Sequence, residues 1–142
     1  MEPMFEILLV DDNPTEVALM EEALTSSRLT NRLHAVQDGV EAMAFLRHEG
    51  PYKGSPRPGL ILLDLNMPRK GGLQTLSEIK ADPDLRGIPT VMLTSSNQQS
   101  EIDRAYGLQA NGFVQKPIDL DDYVAIMGGI EQYWTGVVRL PA

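Results

Sequence analysis

Asp11, Asp12, Asp64, Thr94 and Lys116 are the residues of this sequence whose types and surroundings could do chemistry together. Each follows a short apolar run: Glu6-Ile7-Leu8-Leu9-Val10 leads into Asp11-Asp12, Leu60-Ile61-Leu62-Leu63 into Asp64, Thr90-Val91-Met92-Leu93 into Thr94, and Gly112-Phe113-Val114-Gln115 into Lys116. Three carboxylates in one cleft resist being ionised together, so they attract a cation or retain a proton. Oxygen donors with no His or Cys beside them select Mg2+ or Mn2+, and Mg2+ takes one or two carboxylates while leaving room for a phosphate oxygen. Asp64 can do more than bind a metal, because a carboxylate is able to attack phosphorus and form an aspartyl phosphate. Lys116 would neutralise the oxygens of that group, and Thr94 would donate a hydroxyl hydrogen bond to it, drawing the segment after its strand along.

Bringing these residues together requires that the apolar runs lie side by side. Leu33-His34-Ala35-Val36 adds a fifth, weaker strand, and each strand is followed by a stretch of helical periodicity. The first helix starts at Pro14 and carries Val17, Met20 and Leu24 as its buried stripe. The second runs from Gly39 with Val40, Met43, Ala44 and Leu46 on one face and ends near Gly50. The third follows Gly71-Gly72 with Leu73, Leu76 and Ile79 and stops at Asp82-Pro83. Ile102, Ala105 and Tyr106 mark the fourth, and the last runs from about Leu120 to Trp134. Residues 50–59 hold three prolines and three glycines and read as an irregular surface loop. Five βα repeats predict an α/β fold, a flavodoxin-like (βα)5 three-layer sandwich on a parallel sheet of order 2-1-3-4-5. Ligands of such sheets bind at the carboxyl ends of the strands where the order reverses, here between strands one and three.

A length of 142 residues suits one domain, residues 1–142, with a core of about 5–134 and a tail at 135–142. The absence of cysteine excludes disulfide scaffolds, thiolate metal sites and cysteine nucleophiles. The net charge of −8 repels nucleic acid and anionic lipid. No apolar run approaches the ~18 residues of a membrane span, and Glu2 and Glu6 replace the basic start of a signal peptide. A cytoplasmic protein with neither nucleic acid nor membrane as partner is expected.

Val10-Asp11-Asp12-Asn13, Leu63-Asp64-Leu65-Asn66-Met67-Pro68, Thr94-Ser95-Ser96 and Lys116-Pro117, in this order and at strand ends, resemble the receiver domain of two-component response regulators. The resemblance covers nearly the whole chain. It implies that Asp64 is the phosphoacceptor, that Asp12, Asp64 and the Asn66 backbone carbonyl bind Mg2+, and that Asp11 assists through water. It also implies that Lys116 contacts the phosphoryl group across a cis bond to Pro117, and that Thr94 and Phe113 are the switch residues. Asn66 and Ser96 would tune the phosphate lifetime. Phe113 lacks the hydroxyl of a tyrosine, so a tyrosine-dependent readout is excluded. The proline-bearing loop and the ending from Tyr133-Trp134 to Pro141 are similar to stand-alone regulators that accompany bacterial phytochrome kinases. A sensor histidine kinase, phytochrome-type by that likeness, and a downstream protein are the implied partners. The chain would catalyse only its own phosphorylation and dephosphorylation.

Other readings compete. Asp11 and Asp12 alone could cap a helix, Asp64 could close a turn, Thr94 could be an ordinary strand residue and Lys116 a solvated charge. An aspartyl-phosphate phosphatase would carry a second acid where Asn66 stands, and a flavin carrier would need a phosphate loop where Asp11-Asp12-Asn13-Pro14 stands. An unphosphorylated pseudo-receiver scaffold remains the principal alternative. Tyr123, Ile126, Met127, Ile130, Tyr133 and Trp134 give the last helix more apolar surface than one sheet-facing stripe needs. Either the tail 135–142 folds over it, or it favours a homodimer through helix four, strand five and helix five.

Overall fold

The strand Leu60–Asp64 (β3) is buried along its whole length, as is Thr90–Thr94 (β4), and their runs of apolar side chains are what a parallel sheet covered on both faces demands. The structure, a computed structural model, describes residues 5–25, 31–67, 69–95, 98–117 and 119–134. The remaining strands are Phe5–Val10 (β1), Asn31–Val36 (β2) and Gly112–Gln115 (β5). Helices Pro14–Thr25 (α1), Gly39–Leu46 (α2), Gly72–Ala81 (α3), Gln99–Gly107 (α4) and Leu120–Gln132 (α5) alternate with them. All pairings are parallel, in the order β2-β1-β3-β4-β5, the predicted flavodoxin-like arrangement.

The period of two along each strand divides the core between the faces of the sheet. Leu8, Val10, Ile61 and Leu63 pack with Met43, Phe45, Leu76, Ile79 and Ala105 from α2, α3 and α4. Ile7, Leu9, Leu60 and Leu62 pack with Met20, Leu24, Tyr123 and Met127 from α1 and α5. Fully burying one of these Val, Leu, Ile, Phe or Met side chains contributes roughly 1.5–3 kcal/mol, and eight of the residues named lie on the neighbouring strands β1 and β3. Asn13, Asp38 and Asp119 accept backbone N–H bonds at the starts of α1, α2 and α5 at 2.9–3.0 Å, fixing where each helix begins.

Several local expectations are corrected. β2 begins two residues earlier than Leu33, because Phe5 and Glu6 extend far enough to pair with Asn31 and Arg32. Val40 is exposed and not on the buried face of α2, whose inward positions are Ala42, Met43, Phe45 and Leu46. α2 ends at Leu46, and the loop after it holds a short 3-10 turn at Gly50–Tyr52. Ser55 Oγ fastens that loop by donating to the carbonyls of Phe45 and Tyr52 at 2.8 Å. The tail 135–142, Pro68 and Ser96 lie outside the described residues. No described helix is long and apolar enough to cross a membrane.

Candidate functional site

The register places the polar strand ends beside one another. Val10 is opposite Leu63, so Asp11 projects at the level of Asp64; Asp64 is opposite Leu93, and Thr94 opposite Gln115. Gly72 starts α3 so close to the end of β3 that a Cβ there would lie 2.3 Å from the Asp64 carbonyl oxygen. Its N–H bonds the Leu65 carbonyl at 2.9 Å, which fastens the turn after Asp64. The Lys116 N–H bonds the Thr94 carbonyl at 2.7 Å and directs the lysine side chain back over the sheet edge.

Lys116 Nζ lies 3.2 Å from Asp11 Oδ2 and 3.2 Å from Asp64 Oδ2, with both carboxylates buried. Asp64 Oδ1 also receives the Asn66 N–H at 3.4 Å, and Asp11 Oδ1 receives the Asn13 N–H at 2.9 Å. Asp11 Oδ2, although beside the ammonium, has no aligned hydrogen bond and is sealed from solvent. Asn13 takes the helix-capping role that Asp11 and Asp12 could have filled. The Lys116–Pro117 bond is trans, as the described residues contain no cis peptide bond, so the implied cis bond is not found. Trans is the lower X–Pro isomer by about 0.5–1 kcal/mol, and Lys116 reaches both carboxylates with it.

The third carboxylate on Lys116 is one the sequence reading missed. Glu16, in the first turn of α1, places Oε2 2.5 Å from Lys116 Nζ. An acid in a first helical turn ordinarily reads as complementing the helix dipole, so nothing in its type marks it. The spacing offers a weak signal, since Asn13 caps the helix and Glu16 lies on the turn directly above the strand end. Asp11, Glu16 and Asp64 each bring a carboxylate oxygen within 4.8 Å of the others. Asp12 and Asn66 stand beside this group but are exposed, and Asp12 lies outside the three-carboxylate cluster. Thr94 is buried at the end of β4. Phe113 is half-buried, packing on the core while also lining a groove with Tyr106.

Burial and crowding shift these groups from their ordinary behaviour. Asp11 is pushed up to about 7 by burial, by the Glu16 carboxylate crowded against it and by the Asp64 charge, against the pull of the Asn13 N–H and Lys116. Burial also raises Asp64, although Lys116 and the Asn66 N–H oppose it. Burial would raise Glu16 too, but the neighbouring Asp11 and its bond with Lys116 hold it below the usual carboxylate range. Burial would lower Lys116, and the three acids outweigh it and raise the ammonium. An oxygen-only donor set with a sealed, unbonded carboxylate oxygen fits a hard divalent cation.

The family model for the response regulator receiver domain matches residues 7–127. The response regulator Rcp1 of Synechocystis sp. is 44% identical over 136 residues, which span 96% of this chain and 92% of Rcp1. Among solved structures, the phosphorylated cyanobacterial phytochrome response regulator RcpA is similar at a TM-score of 0.93 and 42% identity, covering 99% of this chain and 100% of RcpA. A Mn2+-bound form of Rcp1 is similar at a TM-score of 0.89 and 43% identity, covering 97% of this chain and 99% of that one. Strand-end acids, a lysine that joins them and a family match over most of the chain agree: this chain belongs to the response regulator receiver domain family and is related to phytochrome response regulators.

Proposed function

We propose that the chain is a phosphorylation-switched signalling protein in which Asp64 accepts a phosphoryl group from a sensor histidine kinase in a Mg2+-dependent reaction. The observation that carries the reading is the buried Asp64 carboxylate held 3.2 Å from Lys116 Nζ at the end of the buried central strand. In the transfer, an Asp64 carboxylate oxygen attacks phosphorus, the P–N bond to the kinase histidine breaks, and the imidazole leaves with that electron pair. Lys116 offsets the charge of the phosphoryl oxygens, and the Thr94 hydroxyl donates to one of them. Asp12, Asp64 and the Asn66 backbone carbonyl would hold the ion, with Asp11 acting through water; when bound it supplies positive charge against the phosphoryl oxygens. Water then attacks phosphorus and releases inorganic phosphate, restoring the Asp64 carboxylate. The chain turns over no external substrate.

The likeness to RcpA and Rcp1 supports a phytochrome-type kinase as the donor. Thr94 and Phe113 would relay the change to the segment between β4 and α4. Next to them, Tyr106, Phe113, Ile126, Ile130, Tyr133 and Trp134 line an apolar groove of about 460 Å³, with Tyr106 and Tyr133 about half exposed. That groove supports signalling to a downstream protein and a homodimer through α4, β5 and α5. A cytoplasmic setting accords with a kinase partner. The test is transfer of labelled phosphate from an autophosphorylated phytochrome-type kinase. Label should move to the wild-type chain with Mg2+ and stay on the kinase with Asp64→Asn or with a chelator. A folded wild-type chain that accepts none from any kinase or small phosphodonor would favour the pseudo-receiver scaffold.

A further inference from the structure

Three carboxylates hold one ammonium in this site, yet they differ in how they are held. Asp11 directly follows β1 and Asp64 ends β3, and their side chains are 0% and 7% exposed. Glu16 rides on the first turn of a helix, its side chain is 25% exposed, and its contact with Lys116 is the shortest of the three at 2.5 Å. Glu16 alone can therefore leave Lys116 by a side-chain rotation into solvent, without displacing a strand.

A phosphoryl group on Asp64 would need the same ammonium, because Lys116 is the cation that borders the Asp64 carboxylate. Its oxygens would approach a site that already carries three acids against one lysine. Asp64 is consumed as the nucleophile and Asp11 is fixed, so the adjustment falls on Glu16. The geometry points to Glu16 as a resting-state counter-ion of Lys116, a positioning residue that the incoming phosphoryl group must displace and that thereby slows phosphorylation of Asp64. This inference rests on the reading of Asp64 as phosphoacceptor.

Glu16→Gln keeps the side chain's length and its ability to accept from Lys116 while removing the charge. At saturating Mg2+, phosphorylation is followed by intact mass with two donors, acetyl phosphate and the less negatively charged phosphoramidate. The variant should react about fivefold faster than wild type with acetyl phosphate, the scale expected from one charge removed from a partly solvated site. Its gain should be smaller with phosphoramidate and should shrink as salt is added. A purely structural role would not make the effect depend on donor charge. Glu16→Ala, which suits a helix, should accelerate the reaction in the same sense.

Calorimetry with Mg2+ alone gives a second readout. Glu16→Gln should bind Mg2+ nearly as tightly as wild type, and a loss of more than about a hundredfold, beyond the cost of losing an outer-shell partner, would make Glu16 a metal ligand and overturn the inference. A wild type that reacts while both folded variants react no faster overturns the inference alone. A wild type that accepts a phosphoryl group from neither donor overturns the phosphoacceptor reading and this inference with it.

Discussion

At the scale of the residue, Lys116 is the group on which the site's balance depends. Its ammonium is the cation bordering two buried carboxylates, so Lys116→Ala leaves those charges facing one another in a poorly solvated space. We expect a loss of about 3–5 kcal/mol in metal-free buffer, measured by urea unfolding, with most of it regained on adding Mg2+. The acid-base balance gives a second prediction. Asp11 has its folded value raised above 3.8 to about 7, so the folded state binds more protons than the unfolded chain between those limits. That contribution is complete below the unfolded value and is lost as pH rises through the folded one. Metal-free protein should therefore lose thermal stability between about pH 5 and about pH 7, and Mg2+ should blunt the loss. A flat profile without metal would show that Asp11 keeps an ordinary value. Asp11, Asp64 and Lys116 were legible in the sequence because each ends an apolar run, and the end of a parallel strand has only one place to point. Glu16 was not, because whether a helical acid faces the site depends on how the helix docks, which its residue type does not encode.

At the scale of the element, the turn between β3 and α3 holds Asp64 in place, and it is fastened at both ends. Gly72 lets α3 begin against the Asp64 backbone, and Arg69 reaches across to Asp38 with Nε at 2.7 Å and Nη2 at 2.6 Å. Burial would raise Asp38, but the Glu41 N–H and the Arg69 guanidinium hold it below the usual carboxylate range. Gly72→Ala must push the helix start away from Asp64, so it should destabilise the fold by about 1–3 kcal/mol and slow phosphorylation more than its stability loss explains. Thermal melts and initial phosphorylation rates on the same preparation separate the two effects, and an unchanged rate would show that the turn does not set Asp64. Strand positions and the ends of β3 and β4 follow from continuous apolar runs, which the sequence displays directly. Val40 shows where this fails: α2 is rich in apolar residues, so periodicity alone did not distinguish its whole inward face, and docking onto the sheet buried Ala42 and Phe45 beside the expected Met43 and Leu46. The early start of β2 was hidden for a related reason, since Asn31 and Arg32 are poor strand formers that pair only because β1 is there to meet them.

At the scale of the whole molecule, the sheet order was accessible because right-handed crossovers leave few ways to connect five βα repeats. What a parallel sheet cannot announce is its use by another molecule. The groove bordered by Tyr106 and Trp134 is apolar on a chain with a net charge of −8, which otherwise favours separation of copies. If it joins two copies, Tyr106→Asp should sediment as monomer under conditions where phosphorylated wild type sediments as dimer, with the phosphorylation rate unchanged. Monomer for both proteins in every state would exclude the dimer.

Signalling by this chain requires that Asp64 form a covalent bond to phosphorus with Mg2+ present, as proposed. That requirement is tested most directly by intact mass after incubation with acetyl phosphate, comparing wild type with Mg2+, wild type with chelator, and folded Asp64→Asn with Mg2+. One phosphoryl group is expected on the first sample and none on the other two. Equal modification of Asp64→Asn, or an unmodified wild type that remains so with a cognate kinase, would contradict it.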